Sequence, residues 1–275
     1  MPALVVRRAV GEESVWQRDW LCRKRGQGRV ARVAFRDGLH SSGLALECRV
    51  SATTAKGESE IMMIKQAMSV FWQTLKDVWE ELLPLCLVNL VWLFASLTVI
   101  LFPVTLAGGH YVANRVARGK TFGTSDYIDG IKMYWWRSLL WFLANLVVVL
   151  LIYTNVMFYP SQFQGLWVSI VGGLWVALLI FWLTLQMYFW PLLIEQEEPR
   201  MLLAWRNSAY LVLINPFYAF FVASFHILFL AVSVATQLPL VFVGMVTLAI
   251  LENNAVLAIL VSVGKIEDPR PKLTV

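Results

Sequence analysis

Glu252 is a carboxylate set inside a long apolar stretch, and any intramembrane chemistry in this chain would begin there. An ionised acid near the middle of a bilayer costs about 2.5 to 3.5 kcal/mol on insertion scales, so it has to be protonated, paired or facing a wet cavity. The other polar residues within apolar runs are Asn89, Asn145, Gln186, Asn215 and His226. Counting about 1.5 Å per residue from the outer helix ends puts Glu252 about 21 Å deep, Asn145 about 20 Å and His226 about 14 Å. These three form the candidate intramembrane polar cluster, with Asn145 the first-choice partner of Glu252 and His226 the second, because lipid offers neither an amide nor an imidazole. The other reading is that the last span ends early and Glu252 to Asn254 sit among cytoplasmic headgroups. For the amides, the ordinary role is a helix-to-helix hydrogen bond worth about 0.6 kcal/mol.

Other chemistry finds little material. The only histidines are His40, His110 and His226, none at metal-ligand spacing from a Cys, Asp or Glu. There is no Gly-x-Ser-x-Gly and no phosphate-cradling glycine loop. No catalytic residue, metal or cofactor is expected, and the chain reads as a non-enzyme. Cys22, Cys48 and Cys86 show neither paired spacing nor a CxxC. Among the 13 tryptophans, Trp135, Trp136, Trp141, Trp167, Trp190 and Trp205 lie near span ends, where aromatic belts form. Trp175 and Trp182 make a packing stripe on the third span, and Gly172-Gly173 beside it suggests a close helix approach.

The elements that would carry these residues follow from hydropathy. Ser138 to Ile194 contains no Asp, Glu, Lys, Arg or His; at about 20 residues per span the run suits two crossings, divided at Pro160-Ser161-Gln162-Phe163-Gln164-Gly165. With 59% hydrophobic and 15% charged residues, the composition is that of a polytopic membrane protein, and lipid rather than nucleic acid accounts for the net charge of +5. The expected fold is all-α: a membrane helix bundle of five transmembrane helices, near 84–107, 138–158, 166–190, 209–235 and 238–263, preceded by an amphipathic helix from Ile64 to Leu82. Pro103 is expected to kink the end of the first span. Thr121 to Ser125 should cap a short surface helix bearing Asp126 and Asp129, and Pro199 should open a helix running toward Trp205 and Arg206. No internal repeat supports an inverted-repeat transporter.

Three regions result: an N-terminal extension at 1–61, the helix bundle at 62–264 and a polar tail at 265–275. Residues 1–61 hold nearly half of the 23 Lys and Arg and no sustained period, which reads as disorder. Lys56-Gly57-Glu58 can be encoded by a ribosome-binding sequence ahead of Met62 and Met63, so the natural start is expected at one of those. With five spans, Arg115, Arg118, Lys120, Lys132, Arg137, Arg200, Arg206, Lys265, Arg270 and Lys272 share one side against Lys65 and Lys76 on the other. The positive-inside rule then puts the C-terminus in the cytoplasm and the N-terminus outside.

Asn89-Leu90-Val91-Trp92, Phe102-Pro103-Val104-Thr105-Leu106-Ala107, Arg118-Gly119-Lys120 and the block from Leu202 through Trp205, Asn207 and Tyr210 to Asn215-Pro216 together resemble the YesL-like family of bacterial integral membrane proteins, a domain of unknown function. Val104 departs from a family tendency to Pro-Ala-Thr. The resemblance covers roughly 71 to 260 and implies a multi-pass protein of the bacterial cytoplasmic membrane, associated with carbohydrate uptake, with no catalytic residues. Two roles are open: a non-enzymatic accessory or permease-like component of solute uptake, or a structural or assembly factor packing against a partner such as a transporter. A membrane-embedded enzyme is a distant third. The expected partners are the lipid bilayer and a transporter or other membrane protein, with no nucleic acid.

Overall fold

The computed structural model describes residues 62–270, so the expected disorder of the N-terminal extension at 1–61 lies outside the described part. Within it the fold is all-α. Eight α-helices follow one another: α1 (Met62–Glu80), α2 (Leu82–Ser96), α3 (Leu101–Ala117), α4 (Thr124–Gln162), α5 (Leu166–Ile194), α6 (Met201–Ile214), α7 (Pro216–Thr236) and α8 (Met245–Ser262). A five-residue π turn, Leu240–Gly244, leads into α8. The helices α4, α5, α7 and the continuous Leu240–Ser262 segment are each long and apolar enough to cross a membrane.

The expected first span, 84–107, is divided. Helix α2 stops at Ser96 and α3 starts at Leu101, and the two pack against each other with the Trp92 and Phe102 rings 6.1 Å apart across the turn. Pro103 is the reason: it has no N–H to continue an earlier helix, and that absence is harmless in the first turn of a new one. The amphipathic α1 is present, and it meets α2 at a bend of 92°. The expected fourth span begins later than its hydropathy suggests, at Pro216, because Asn215 leaves helical geometry and α6 ends there.

Helix α4 does not stop at Pro160 but continues to Gln162; the chain turns at Phe163 to Gly165, where Gly165 has a positive φ of 114°. Its first turn carries the expected acidic cap, with the Gly123 N–H donating to Asp126 Oδ2 at 2.8 Å. Helix α8 lies at the centre, touching α3, α5 and α7 and buried over most of its length.

Glycine decides how closely α3 and α4 approach. A Cβ at Gly130 would fall 2.6 Å from Tyr111 Cβ, and one at Gly108 would meet the Tyr127 carbonyl and the Ile131 side chain at about the same closeness as each other, 3.0 and 2.9 Å. Gly172 and Gly173, expected to mark a close helix contact, have nothing within 4 Å of such a Cβ. Gly130→Ala should therefore destabilise the bundle by about 1 to 3 kcal/mol through overpacking, whereas Gly172→Ala and Gly173→Ala should be neutral or stabilising by up to about 1 kcal/mol. Unfolding titrations in mixed detergent micelles will read both; equal losses at all three positions would contradict the packing described.

Candidate functional site

Helix α8 presents Glu252, Asn253 and Asn254 in succession, and about 100° of turn per residue sends them toward three different neighbours. Glu252 faces a partly open cavity of about 330 Å³ between α3, α5, α7 and α8. His226 of α7 places Nδ1 3.4 Å from Glu252 Oε1, and His110 of α3 places Nδ1 3.8 Å from Oε2. Among the described residues Glu252 has no Lys or Arg partner. The His110 ring stacks on Trp190 at 5.6 Å and 14°, and Trp92, Trp141 and Phe102 complete an aromatic wall.

The cavity gathers unmet hydrogen-bonding capacity. Trp92 Nε1, His110 Nδ1, Gln186 Nε2, Trp190 Nε1, His226 Nδ1 and Ser233 Oγ are all buried without a partner, and all belong to residues that line it. Native interiors leave only a few such groups per hundred residues, so their gathering on the residues around one space sets it apart from the rest of the bundle. Among the described residues no group of three His, Cys, Asp or Glu converges closely enough to hold a metal ion.

Asn253 and Asn254 join two separate networks. Asn253 Oδ1 accepts from Asn114 Nδ2 at 3.1 Å, and the same nitrogen donates to Glu195 Oε1 at 2.7 Å, whose carboxylate is paired with Arg118. Asn254 Nδ2 donates to Asp77 Oδ2 at 2.9 Å and to Thr74 Oγ1 at 3.1 Å. Arg270 lies beyond the helices. It returns to donate to Asp77 Oδ2 at 3.0 Å, to Asn254 Oδ1 at 2.6 Å and, through Nε, to the Ala117 carbonyl at 3.0 Å.

Of the three residues nominated from sequence, the structure brings Glu252 and His226 together and sets Asn145 apart. Asn145 Nδ2 lies 3.4 Å from Gln186 Oε1, and its Oδ1 accepts from Trp182 Nε1 at 2.9 Å. Gln186 Oε1 also accepts from Trp141 Nε1 at 2.8 Å. Equal depth along two helices does not make neighbours: α4 is not in contact with this part of α8, and α5 lies on Asn145 instead. His110 went unrecognised because Gly108-Gly109 reads as the loosened end of a span, yet the four-residue spacing of His110, Asn114 and Arg118 already lays a polar stripe on one helical face. Trp190 and Trp141, expected in a headgroup belt, belong to the interior, Trp190 being 1% exposed; Trp135, Trp136 and Trp167 are exposed as a belt requires.

A double-mutant cycle separates the two candidate partners. Glu252→Gln with His226→Ala should show a coupling of at least about 0.5 kcal/mol in thermal stability, and Glu252→Gln with Asn145→Ala should be additive within about 0.3 to 0.5 kcal/mol. Coupling to Asn145 instead would reverse the assignment.

An all-α bundle with several helices of bilayer-crossing length and apolarity, and apolar side chains such as Leu166 (79% exposed) and Leu174 (70% exposed) turned outward, is an integral, multi-pass membrane protein. Comparisons with family models, with curated proteins and with solved structures find no match for this chain.

Proposed function

We propose that this protein is a non-enzymatic accessory or permease-like component of solute uptake, and that the Glu252 cavity takes a small polar solute. The observation that carries this reading is the set of unpartnered donors and acceptors around a space of about 330 Å³, at the lower end of the range for ligand sites. A single sugar ring suits it. The C–H faces of the ring can lie on the half-buried Trp141, while its hydroxyls can donate to Glu252. Carbohydrate is also the class implied by the resemblance to the YesL-like family, which would put the protein in a bacterial cytoplasmic membrane. Tryptophan-fluorescence titration of the purified protein with neutral mono- and disaccharides, together with flux into liposomes, tests the reading. Saturable binding that Trp141→Ala and Glu252→Ala abolish supports it; no binding and no flux for any member of the panel sinks it.

One observation favours the second reading, a structural or assembly factor packing against another membrane protein. The distal halves of α4 and α5 carry exposed Leu146, Leu150, Ile170 and Leu174, which little of the described residues covers. Co-purification of a transporter without solute binding would select it.

Orientation belongs to the same proposal. Hydrogen bonds tie α1 to the far end of α8 (Gln66 Nε2 to the Ala258 carbonyl, 3.0 Å) and to the tail, and ion pairs tie the end of α3 to the end of α5 and to the start of α4. These charged segments share one end of the bundle, while the turns at 97–100, 163–165 and 237–239 contain no Lys, Arg, Asp or Glu. The positive-inside rule assigns the charged end, including α1 and the segment after α8, to the cytoplasm. In a cysteine-free background, a Cys at Gln162 should react with an impermeant maleimide in intact cells. A Cys at Lys120 or at Lys65 should react only after permeabilisation. Labelling of Lys65→Cys from outside would overturn this orientation of α1 and place it externally, as the sequence expectation does.

A further inference from the structure

We propose that Glu252, His226 and His110 form a proton-binding site inside the cavity, and that a neutral polar solute entering the cavity displaces a proton from it. The second half rests on the reading of the cavity as a solute site; the first does not. Both carboxylate oxygens of Glu252 face imidazole Nδ1 atoms, at 3.4 and 3.8 Å, and neither nitrogen has another partner. The Glu252 side chain is 9% exposed and that of His110 6%. A bare carboxylate so placed, without Lys or Arg, is costly. One proton held among the three groups, either as the carboxylic acid or as an imidazolium–carboxylate pair, makes the cluster neutral, and such a proton belongs to the set rather than to any one residue.

Among the described residues the surroundings bring no unpaired fixed charge to compete for this proton. Helix α5 contributes the Tyr188 hydroxyl, which is unpartnered, and Gln186; α7 contributes Tyr218, whose hydroxyl is already donated to the Ala255 carbonyl at 3.0 Å. Helix α2 brings no carboxylate, imidazole or base. The Asp77 carboxylate of α1 is taken by Asn254 and Arg270, and the Glu195 carboxylate at the end of α5 by Asn114 and Arg118. The fixed charges nearest the cluster are thus neutralised in pairs.

Solute hydroxyls supply what the carboxylate lacks. Two donors brought to Glu252 favour its ionised form, so the proton leaves as the solute binds; by reciprocity, a rise in proton concentration expels the solute. No bond other than O–H or N–H is made or broken, and the proton passes to solvent through the open side of the cavity.

The first measurement needs no solute. ¹⁵N-histidine magic-angle-spinning spectra of the protein in phosphatidylcholine–phosphatidylglycerol bilayers, recorded across pH, should show His226 and His110 titrating together. Glu252→Gln should move that titration by at least about one pH unit, while Asn145→Ala leaves it in place. His titration unchanged in Glu252→Gln overturns the site. The second measurement adds glucose to weakly buffered protein: release of one proton per bound glucose, lost in Glu252→Gln, supports the linkage, and binding without a pH change overturns it. If glucose and the rest of the saccharide panel fail to bind while the histidine titration still depends on Glu252, the solute reading fails and the proton site stands.

Discussion

Arg270→Ala should lower the stability of the bundle by about 3 kcal/mol, although Arg270 lies eight residues past the last helix. Breaking a buried ion pair by removing one partner costs about 3 to 5 kcal/mol because the other charge is stranded. Asp77 keeps only 8% side-chain exposure, and the guanidinium also serves Asn254 and the Ala117 carbonyl. The lower end of that range applies because 26% of the arginine side chain still meets solvent. Detergent unfolding of Arg270→Ala and of Asp77→Asn/Arg270→Gln checks the cause: the double variant, which strands no charge, should recover part of the loss. A loss below about 1 kcal/mol would make this an ordinary surface pair.

The second large effect is expected at Asn89, which is fully buried. Its Nδ2 donates to the Leu240 carbonyl at 3.0 Å and the Val241 carbonyl at 2.7 Å, and its Oδ1 accepts the Met245 N–H at 3.0 Å. Those backbone groups sit where the π turn gives way to α8, and a change of helical register leaves main-chain groups without partners in their own helix. Asn89→Leu keeps the side-chain size and removes all three bonds. The expected cost is about 2 to 3 kcal/mol, above the usual figure for one polar contact between membrane helices, because a buried N–H is left unsatisfied. Hydrogen exchange at the Met245 amide should accelerate in this variant; unchanged exchange would show that the π turn does not depend on α2.

What could be read from the sequence was set by how local the signal is. Ser138 to Ile194 announces a hairpin because each of its helices must satisfy its own backbone in lipid, and the absence of charge is visible without any knowledge of neighbours. Glu252 stood out for the same reason. The division of 84–107 was harder, since α2 and α3 are both apolar and only Pro103 marks the second start. The partner of Glu252 was half legible: His226 stood second, for its imidazole, behind an Asn145 that matched Glu252 in depth, whereas His110 depends on α3 returning beside α8, a fact of topology. Asn145 was misplaced because depth fixes one coordinate of three. Arg270 could not be found from hydropathy at all. A polar tail looks solvated until Asp77 and Asn254 are known to lie at the same end.

The placement of α8 has a consequence for how the protein is made. This helix leaves the ribosome after the seven others, and its Glu252, Asn253 and Asn254 make it a poor candidate for release into bare lipid, where one ionised side chain alone weighs about 2.5 to 3.5 kcal/mol against insertion. It has to enter a cradle already formed by its predecessors, where His226, Asn114 and Asp77 wait for those three side chains. Until then His226 lacks Glu252, and Asp77 lacks both Asn254 and Arg270. A bundle still without α8 thus displays polar groups that a finished one conceals.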